Sequence, residues 1–214
     1  MFSVIFDMDG TLLDTQRICI PAWEFAGQNQ GVSGVGEAIY HVCGMNQTGW
    51  SNYLKENYGM LDIEKFIAEM RQYIIDNLVV KFMPGAKELI EYLKKNNIKI
   101  GLASGSSMNS VMHHLNKVKA VDYFDAIVGG DEIVNGKPAP DIFLLTAERM
   151  GVDPKDCFVF EDADNGILAG HSAGMKCIGV PDVAKFSEKA ESLMYAKLNR
   201  IDEAIELFEA LQNT

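Results

Sequence analysis

Positive charge is scarce in this chain. Its 19 lysines and arginines stand against 30 aspartates and glutamates, a formal net charge of −11 over 214 residues. Such a balance argues against nucleic acid and anionic membrane as partners. If the substrate is itself an anion, a cation or helix N-termini must reverse the field locally. Cysteine is scarce too: Cys19, Cys43, Cys157 and Cys177 are scattered, with no C-x-x-C pair. They read as reduced thiols filling space in a core, not as a disulfide framework. The apolar run at the N-terminus is too short for a signal peptide or a membrane span, and no basic region precedes it. A soluble cytoplasmic protein is therefore expected. The chain has no internal repeat and no low-complexity segment. His41, His113, His114 and His171 sit in helical stretches without metal-ligand spacing, and read as structural or surface residues.

What is present is ordinary globular material: 48% hydrophobic and 23% charged residues, enough for one large core or a core with a small accessory domain. The informative stretch is Phe2-Ser-Val-Ile-Phe-Asp7-Met-Asp9-Gly10-Thr11-Leu-Leu-Asp14-Thr15. Val4 to Phe6 reads as a buried strand of a parallel sheet. It stops in two carboxylates two residues apart, then a glycine that permits a sharp turn. Open α/β folds place their sites at that carboxyl edge. Two acids there repel unless a cation lies between them, and a hard divalent ion is the simplest candidate. Taken alone, the stretch is equally an Asp/Gly turn capping a strand.

After Thr15 no strand pattern appears until about residue 97. Helices are expected over 16–29, 37–42, 50–58 and 62–80. The last is the clearest, with Ile63, Phe66, Ile67, Met70, Ile74 and Leu78 at 3.6-residue spacing behind an Asp62 cap. The glycines at 31, 34 and 36 break the first helix, and 44–49 reads as a loop. From Lys81-Phe-Met-Pro84-Gly85 onward the pattern alternates. Strands are expected at 98–103, 124–128, 157–160 and 176–180, and helices at 86–95, 108–116, 141–150 and 165–173, with an amphipathic helix in the tail. Alternation of this kind means right-handed βαβ units. The expected architecture is an α/β, Rossmann-like parallel sheet core over 1–15 plus 82–214, with an all-helical insert over 16–81.

The strand ends then form a pattern. Asp7 and Asp9 follow the first strand, Ser104 the second and Glu161-Asp162 the fourth. Lys137 lies in the loop Asn135-Gly136-Lys137-Pro138-Ala-Pro140 beyond the third. In a parallel sheet all of these project from one edge. A nucleophilic acid, a hydroxyl, a fixed ammonium and further carboxylates around one crevice are what metal-assisted phosphoryl transfer requires. Singly, Ser104 reads as a helix cap, Lys137 as a solvated turn lysine and Glu161-Asp162 as a helix N-terminus. Asp164 and Asn165 read as the cap region of the next helix, and Trp23 and Trp50 as packing residues.

The ordered set Asp7-x-Asp9-Gly-Thr11, Ser104, Gly136-Lys137-Pro138-x-Pro140-Asp141 and Phe160-Glu161-Asp162 with Gly166 and Ala173-Gly174-Met175 resembles the haloacid dehalogenase (HAD) superfamily. It is most similar to the branch with a helical cap, which includes β-phosphoglucomutase and small sugar-phosphate and phosphoglycolate phosphatases. The resemblance implies a HAD fold with residues 16–81 as cap. It implies Asp7 as nucleophile, Asp9 as general acid and base, Ser104 and Lys137 as phosphate-binding catalytic residues, and Mg²⁺ as cofactor. The metal would be held by Asp7, the Asp9 backbone carbonyl and Asp162, with Glu161 as ligand or water-mediated neighbour. The expected partner is a small phosphorylated substrate, handled by a monomer.

Four activities and one non-catalytic role compete within that resemblance. β-Phosphoglucomutases carry a histidine in the first cap helix and an arginine in the cap loop, where this chain has Cys19 and Gln47. Thr11 stands where those enzymes commonly have valine. These departures favour simple phosphomonoester hydrolysis over a mutase. A dehalogenase does not need Asp9, and a phosphonate hydrolase carries a small residue there. A phospho-ligand binding module without catalysis would be expected to have lost a catalytic residue, and none is missing.

Overall fold

The computed structural model describes residues 2–42 and 47–212. By contact, the chain splits into two compact units, Met1–Asp14 with Val80–Thr214, and Thr15–Val79. In chain order the first strand, β1, spans Ser3–Phe6. Four helices follow: α1 Cys19–Gln28, α2 Ile39–Val42, α3 Gln47–Asn57 and α4 Ile63–Asn77. Then come α5 Ala86–Lys95, β2 Ile100–Ser104, α6 Met108–Lys117, β3 Ala126–Gly129, α7 Asp141–Met150 and β4 Cys157–Glu161. The chain closes with α8 Asp164–Ser172, β5 Lys176–Gly179, α9 Glu188–Ser192, β6 Met194–Lys197 and α10 Ala204–Gln212. No described helix is long and apolar enough to cross a membrane.

The larger unit is a parallel sheet in the order β3-β2-β1-β4-β5-β6. Alternation along β1 splits its core in two. Val4 and Phe6 pack with Leu102, Phe160, Leu89 of α5 and Phe208 of α10 on one face. Ile5 packs with Val159, Phe143 and Ala147 of α7 and Ala169 of α8 on the other. Strands buried on both faces need helices on both sides, which the βαβ crossovers supply. Each fully buried Phe or Leu contributes roughly 1.5–3 kcal/mol. The chain runs from β1 outward through β2 and β3, then returns to place β4 on the opposite flank of β1. That reversal makes the β1/β4 carboxyl end the topological switch point, where open α/β sheets bind ligands.

The segments that leave and re-enter this unit pair with each other. Leu13 bridges Phe82 in antiparallel fashion, the Asp14 N–H donates to the Lys81 carbonyl at 2.9 Å, and Lys81 lies 3.2 Å from the Asp14 carboxylate. The helical unit has its own core. Trp23 packs against Trp50 at 5.2 Å between ring centroids and edge-on against Phe66 at 5.4 Å, around buried Ala22, Ala26 and Leu54. Asp62 caps α4 by accepting from the Lys65 N–H.

Several boundaries differ from the sequence expectation, each for a local reason. α1 starts at Cys19, not residue 16, because Pro21 has no N–H to donate and its ring crowds the carbonyl four residues back; proline is tolerated only in a first turn. β2 starts at Ile100 because the Ile98 N–H closes the end of α5 by donating to the Leu93 carbonyl, next to Asn97 at φ 54°. β3 starts at Ala126 because Val121–Tyr123 forms a 3-10 turn that engages Phe124. β6 and α9 have no counterpart in the expectation. β6 is a half-exposed edge strand whose four residues, Met-Tyr-Ala-Lys, carry little apolar signal. Within the expected 44–49 loop, residues 44–46 lie outside the described residues, as does the side chain of Gln47.

Candidate active site

β1 delivers Asp7 to the switch point. The Asp7 N–H donates to the Phe160 carbonyl at 3.0 Å, so the ladder with β4 extends to the carboxylate-bearing residue itself. The chain then doubles back. The Leu12 and Leu13 N–H groups donate to the Met8 carbonyl, and Gly10 turns at φ 83°, a region that strains any side-chain-bearing residue. Met8, Leu12 and Leu13 are buried beneath the turn and anchor it.

Lys137 reaches this strand end from the loop after β3. Its ammonium donates to Asp7 Oδ1 at 2.5 Å, to Glu161 Oε1 at 2.6 Å and to the Ala103 carbonyl at 3.2 Å, and lies 4.9 Å from the Phe143 ring centre. The second Glu161 oxygen accepts from the Asp162 N–H at 3.2 Å and the Ala163 N–H at 3.4 Å, at the start of α8. Gly166 in the first turn of that helix leaves room for the carboxylate. A Cβ there would stand 1.8 Å from the Glu161 carboxyl carbon. Thr11, fully enclosed, donates to Asp162 Oδ1 at 3.3 Å.

The ammonium thus bridges two buried carboxylates, Asp7 and Glu161, with the buried carboxylate of Asp162 beside them. Burial alone would lower Lys137, but the adjoining Asp7 and Glu161 carboxylates outweigh it and hold the amine charged above its ordinary range. The acids absorb the imbalance. Burial pushes Asp7 up to about 8 against the pull of Lys137, with Glu161 and Asp9 adding to the rise. Burial, Glu161 and Asp7 likewise raise Asp162 well above the carboxylate range. Ligand oxygens of the three acids lie within 4.8 Å of one another. An all-oxygen donor set with surplus negative charge fits a hard divalent cation.

The remaining residues form a second group. Asp9 Oδ2 accepts from Ser106 Oγ at 2.9 Å and from Ser104 Oγ at 3.3 Å, while Ser104 Oγ accepts from the Ser106 N–H at 3.1 Å. Ser104, at the last position of β2, is fully buried. The Asp9 carboxylate is therefore turned toward the β2–α6 loop, apart from the three clustered acids. Ser106 was not singled out from the sequence. In Ser104-Gly-Ser-Ser107 it reads as one polar loop residue among several, and its only signal is a position two residues beyond a strand-terminal serine. Asp164 is the first residue of α8, where it accepts from the Ser187 N–H. Trp23 and Trp50 pack within the helical unit, and Cys19 is half-buried at the start of α1. Cys157 and Cys177 are buried free thiols, which burial pushes up to about 11 and 12.

Comparison with known proteins gives this geometry its family. The family model described as haloacid dehalogenase-like hydrolase matches residues 4–180. The chain is 34% identical to a fructose-1-phosphate phosphatase of Escherichia coli, over 83% of this chain and 95% of that one. It is 35% identical to a β-phosphoglucomutase of Bacillus subtilis, over 84% and 83% of the two. Among solved structures, a β-phosphoglucomutase from Clostridium difficile superposes with a TM-score of 0.75 at 26% identity, covering 100% of this chain and 97% of that one. Matched across both flanks of the sheet and through all the strand ends that carry the clustered residues, the chain belongs to the haloacid dehalogenase-like hydrolase family.

Proposed function

We propose that this protein is a Mg²⁺-dependent phosphatase that hydrolyses a small phosphorylated metabolite, a sugar phosphate before phosphoglycolate. The observation that carries the reading is the Lys137 ammonium bridging Asp7 and Glu161 at the end of the central strand, beside Asp162. A carboxylate held against a fixed cation at a ligand-binding edge is a nucleophile poised for phosphorus. Asp7 attacks the phosphoryl group, and the phosphorus–oxygen bond to the metabolite breaks as Asp9 protonates the departing oxygen. Asp9 then takes a proton from water as that water displaces Asp7 and releases inorganic phosphate. Lys137 and the Ser104 hydroxyl compensate charge on the phosphate oxygens. Asp7, Glu161 and Asp162, with the Asp9 backbone carbonyl, would hold the Mg²⁺, which when bound screens the carboxylates from the phosphate. Positioning and electrostatics of this kind supply on the order of 10 kcal/mol or more in enzymes generally. We assign residues 16–81 the role of a cap that supplies specificity, because the α/β residues above account for the phosphate and not for the rest of the metabolite.

The test is release of inorganic phosphate from p-nitrophenyl phosphate, sugar phosphates and phosphoglycolate, with and without Mg²⁺. Asp7→Asn should abolish turnover and leave the fold intact; substantial activity in that variant would remove Asp7 as nucleophile. The identity to a β-phosphoglucomutase supports a second reading, a mutase. Glucose 6-phosphate formed from β-glucose 1-phosphate without net phosphate release would establish it.

A further inference from the structure

We infer that Gly130 and Asp131 are positioning residues for the loop that carries Ser104. The turn after β3 then fixes where that serine meets the phosphoryl group of the substrate. The inference rests on the phosphatase reading above, in which Ser104 is a phosphate ligand.

β2 and β3 stay in register to their last residues, where Ser104 lies opposite Gly129. Beyond that pair the two segments remain tied. The Gly130 N–H donates to the Ser106 carbonyl at 2.8 Å. The Met108 N–H, at the first residue of α6, donates to Asp131 Oδ1 at 2.8 Å. Ser106 passes the constraint on, because its own N–H donates to Ser104 Oγ at 3.1 Å. Gly130 therefore reaches the Ser104 oxygen through the backbone of one residue, bonded on both sides. The approach leaves no room for a side chain. A Cβ on Gly130 would stand 2.3 Å from the Gly105 carbonyl oxygen and 2.7 Å from its carbon. These are backbone atoms, which cannot rotate aside as a side chain can. The φ of Gly130 lies outside the left-handed region, so alanine there would press on Gly105 without straining its own backbone.

The turn is itself held from its far side. Glu132 Oε1 accepts from the Gly129 N–H at 3.0 Å, and Glu132 Oε2 accepts from Arg149 of α7 at 2.7 Å. Arg149 also donates to the Ile127 carbonyl at 3.2 Å, which locks the turn to the strand it follows. None of these groups has a part in the proposed bond breaking or metal binding. A ligand group held by surroundings that do not react is preorganised, so binding pays less to order the loop.

Gly130→Ala and Asp131→Ala in the full chain separate this role from a general structural one. Isothermal titration with inorganic phosphate, at saturating Mg²⁺, should show about tenfold weaker binding in Gly130→Ala, the change expected for losing one hydrogen bond to a charged ligand. Asp131→Ala should lose affinity in the same direction. KM for p-nitrophenyl phosphate should rise in step. Mg²⁺ binding without phosphate should match wild type in both variants, because Asp7, Glu161 and Asp162 stand at the ends of β1 and β4. Asp131→Asn keeps the acceptor oxygen and should restore phosphate binding. The inference is overturned by unchanged phosphate binding in either alanine variant, or by equal losses of phosphate and Mg²⁺ affinity, which would mark a general disruption. A loss in Asp131→Asn equal to that in Asp131→Ala also overturns it. If Gly130→Ala does not fold, the two Asp131 variants decide the matter. A wild-type protein that neither binds phosphate nor releases it from any substrate removes the phosphatase reading and this inference together; an active wild type whose alanine variants bind phosphate normally removes this inference alone.

Discussion

Thr11 donates its hydroxyl to Asp162 across 151 residues of sequence, at 3.3 Å and out of contact with solvent. The turn after β1 is thereby tied to the acid after β4, so the two halves of the sheet share one carboxylate. Thr11→Val keeps the shape and deletes the donor. Leaving a buried acceptor short of a partner costs about 1–3 kcal/mol. A supporting partner of a metal ligand typically changes affinity by about 10–100-fold. Isothermal titration with Mg²⁺ should show weaker binding by that order, with the fold retained; an unchanged affinity would remove Thr11 from the proposed metal site.

Lys137 places its ammonium between the Asp7 and Glu161 carboxylates, beside Asp162. Lys137→Met preserves length and removes the charge. Breaking a buried ion pair by deleting one partner costs about 3–5 kcal/mol. The urea midpoint should fall accordingly, and kcat should drop by about 100-fold or more on the proposed reading. Added Mg²⁺ should recover part of the stability and little of the turnover. An unshifted midpoint would mean that the acids do not need the amine.

Gly166→Ala tests the orientation of Glu161 without replacing a charged residue. The new methyl would meet the Glu161 carboxyl group at 1.8–2.2 Å, so the carboxylate must swing away from Lys137 and from the first turn of α8. Mg²⁺ affinity should fall by about 10-fold or more. A crystal structure of the variant with Glu161 unmoved would refute the mechanism offered.

The response to pH follows from the direction of the Asp7 shift. Its carboxyl is raised from 3.8 to about 8 in the metal-free fold, chiefly by burial. A group raised on folding adds stability below its unfolded value and loses it as pH climbs through the folded one. Metal-free protein should therefore lose this contribution between about pH 4 and pH 8. A divalent cation needs the ionised form, so binding expels the proton, and its apparent affinity should rise by up to about tenfold per pH unit over that range. Melting curves with and without Mg²⁺ at several pH values will show a gap that widens toward pH 8; a constant gap would contradict the proton count.

The fold was largely legible because its signals are local. Apolar runs of three to five residues separated by 3.6-periodic stretches specify strands and helices that alternate, and alternation implies a parallel sheet. The failures have local causes as well: Pro21 cut the start of α1, and β6 carries too little apolar character to stand out. For the site, the sequence supplied the residues at the strand ends, because a buried strand that stops in polar side chains has few reasons to do so. It did not supply Ser106, since a serine in a glycine-serine loop has many.

By itself, then, the chain determined five of the six strands, the helices other than α9, and which polar groups end the strands that carry the site. These depend on periods of two and 3.6 residues that any short window contains. Only the tertiary structure decided that Lys137, 130 residues beyond Asp7, rests on it, that Thr11 holds Asp162, and that Asp9 turns to two serines instead of joining the clustered acids. Such pairings depend on strand order and crossover, which bring distant strand ends to one edge, and on side-chain rotamers chosen only once their neighbours are in place.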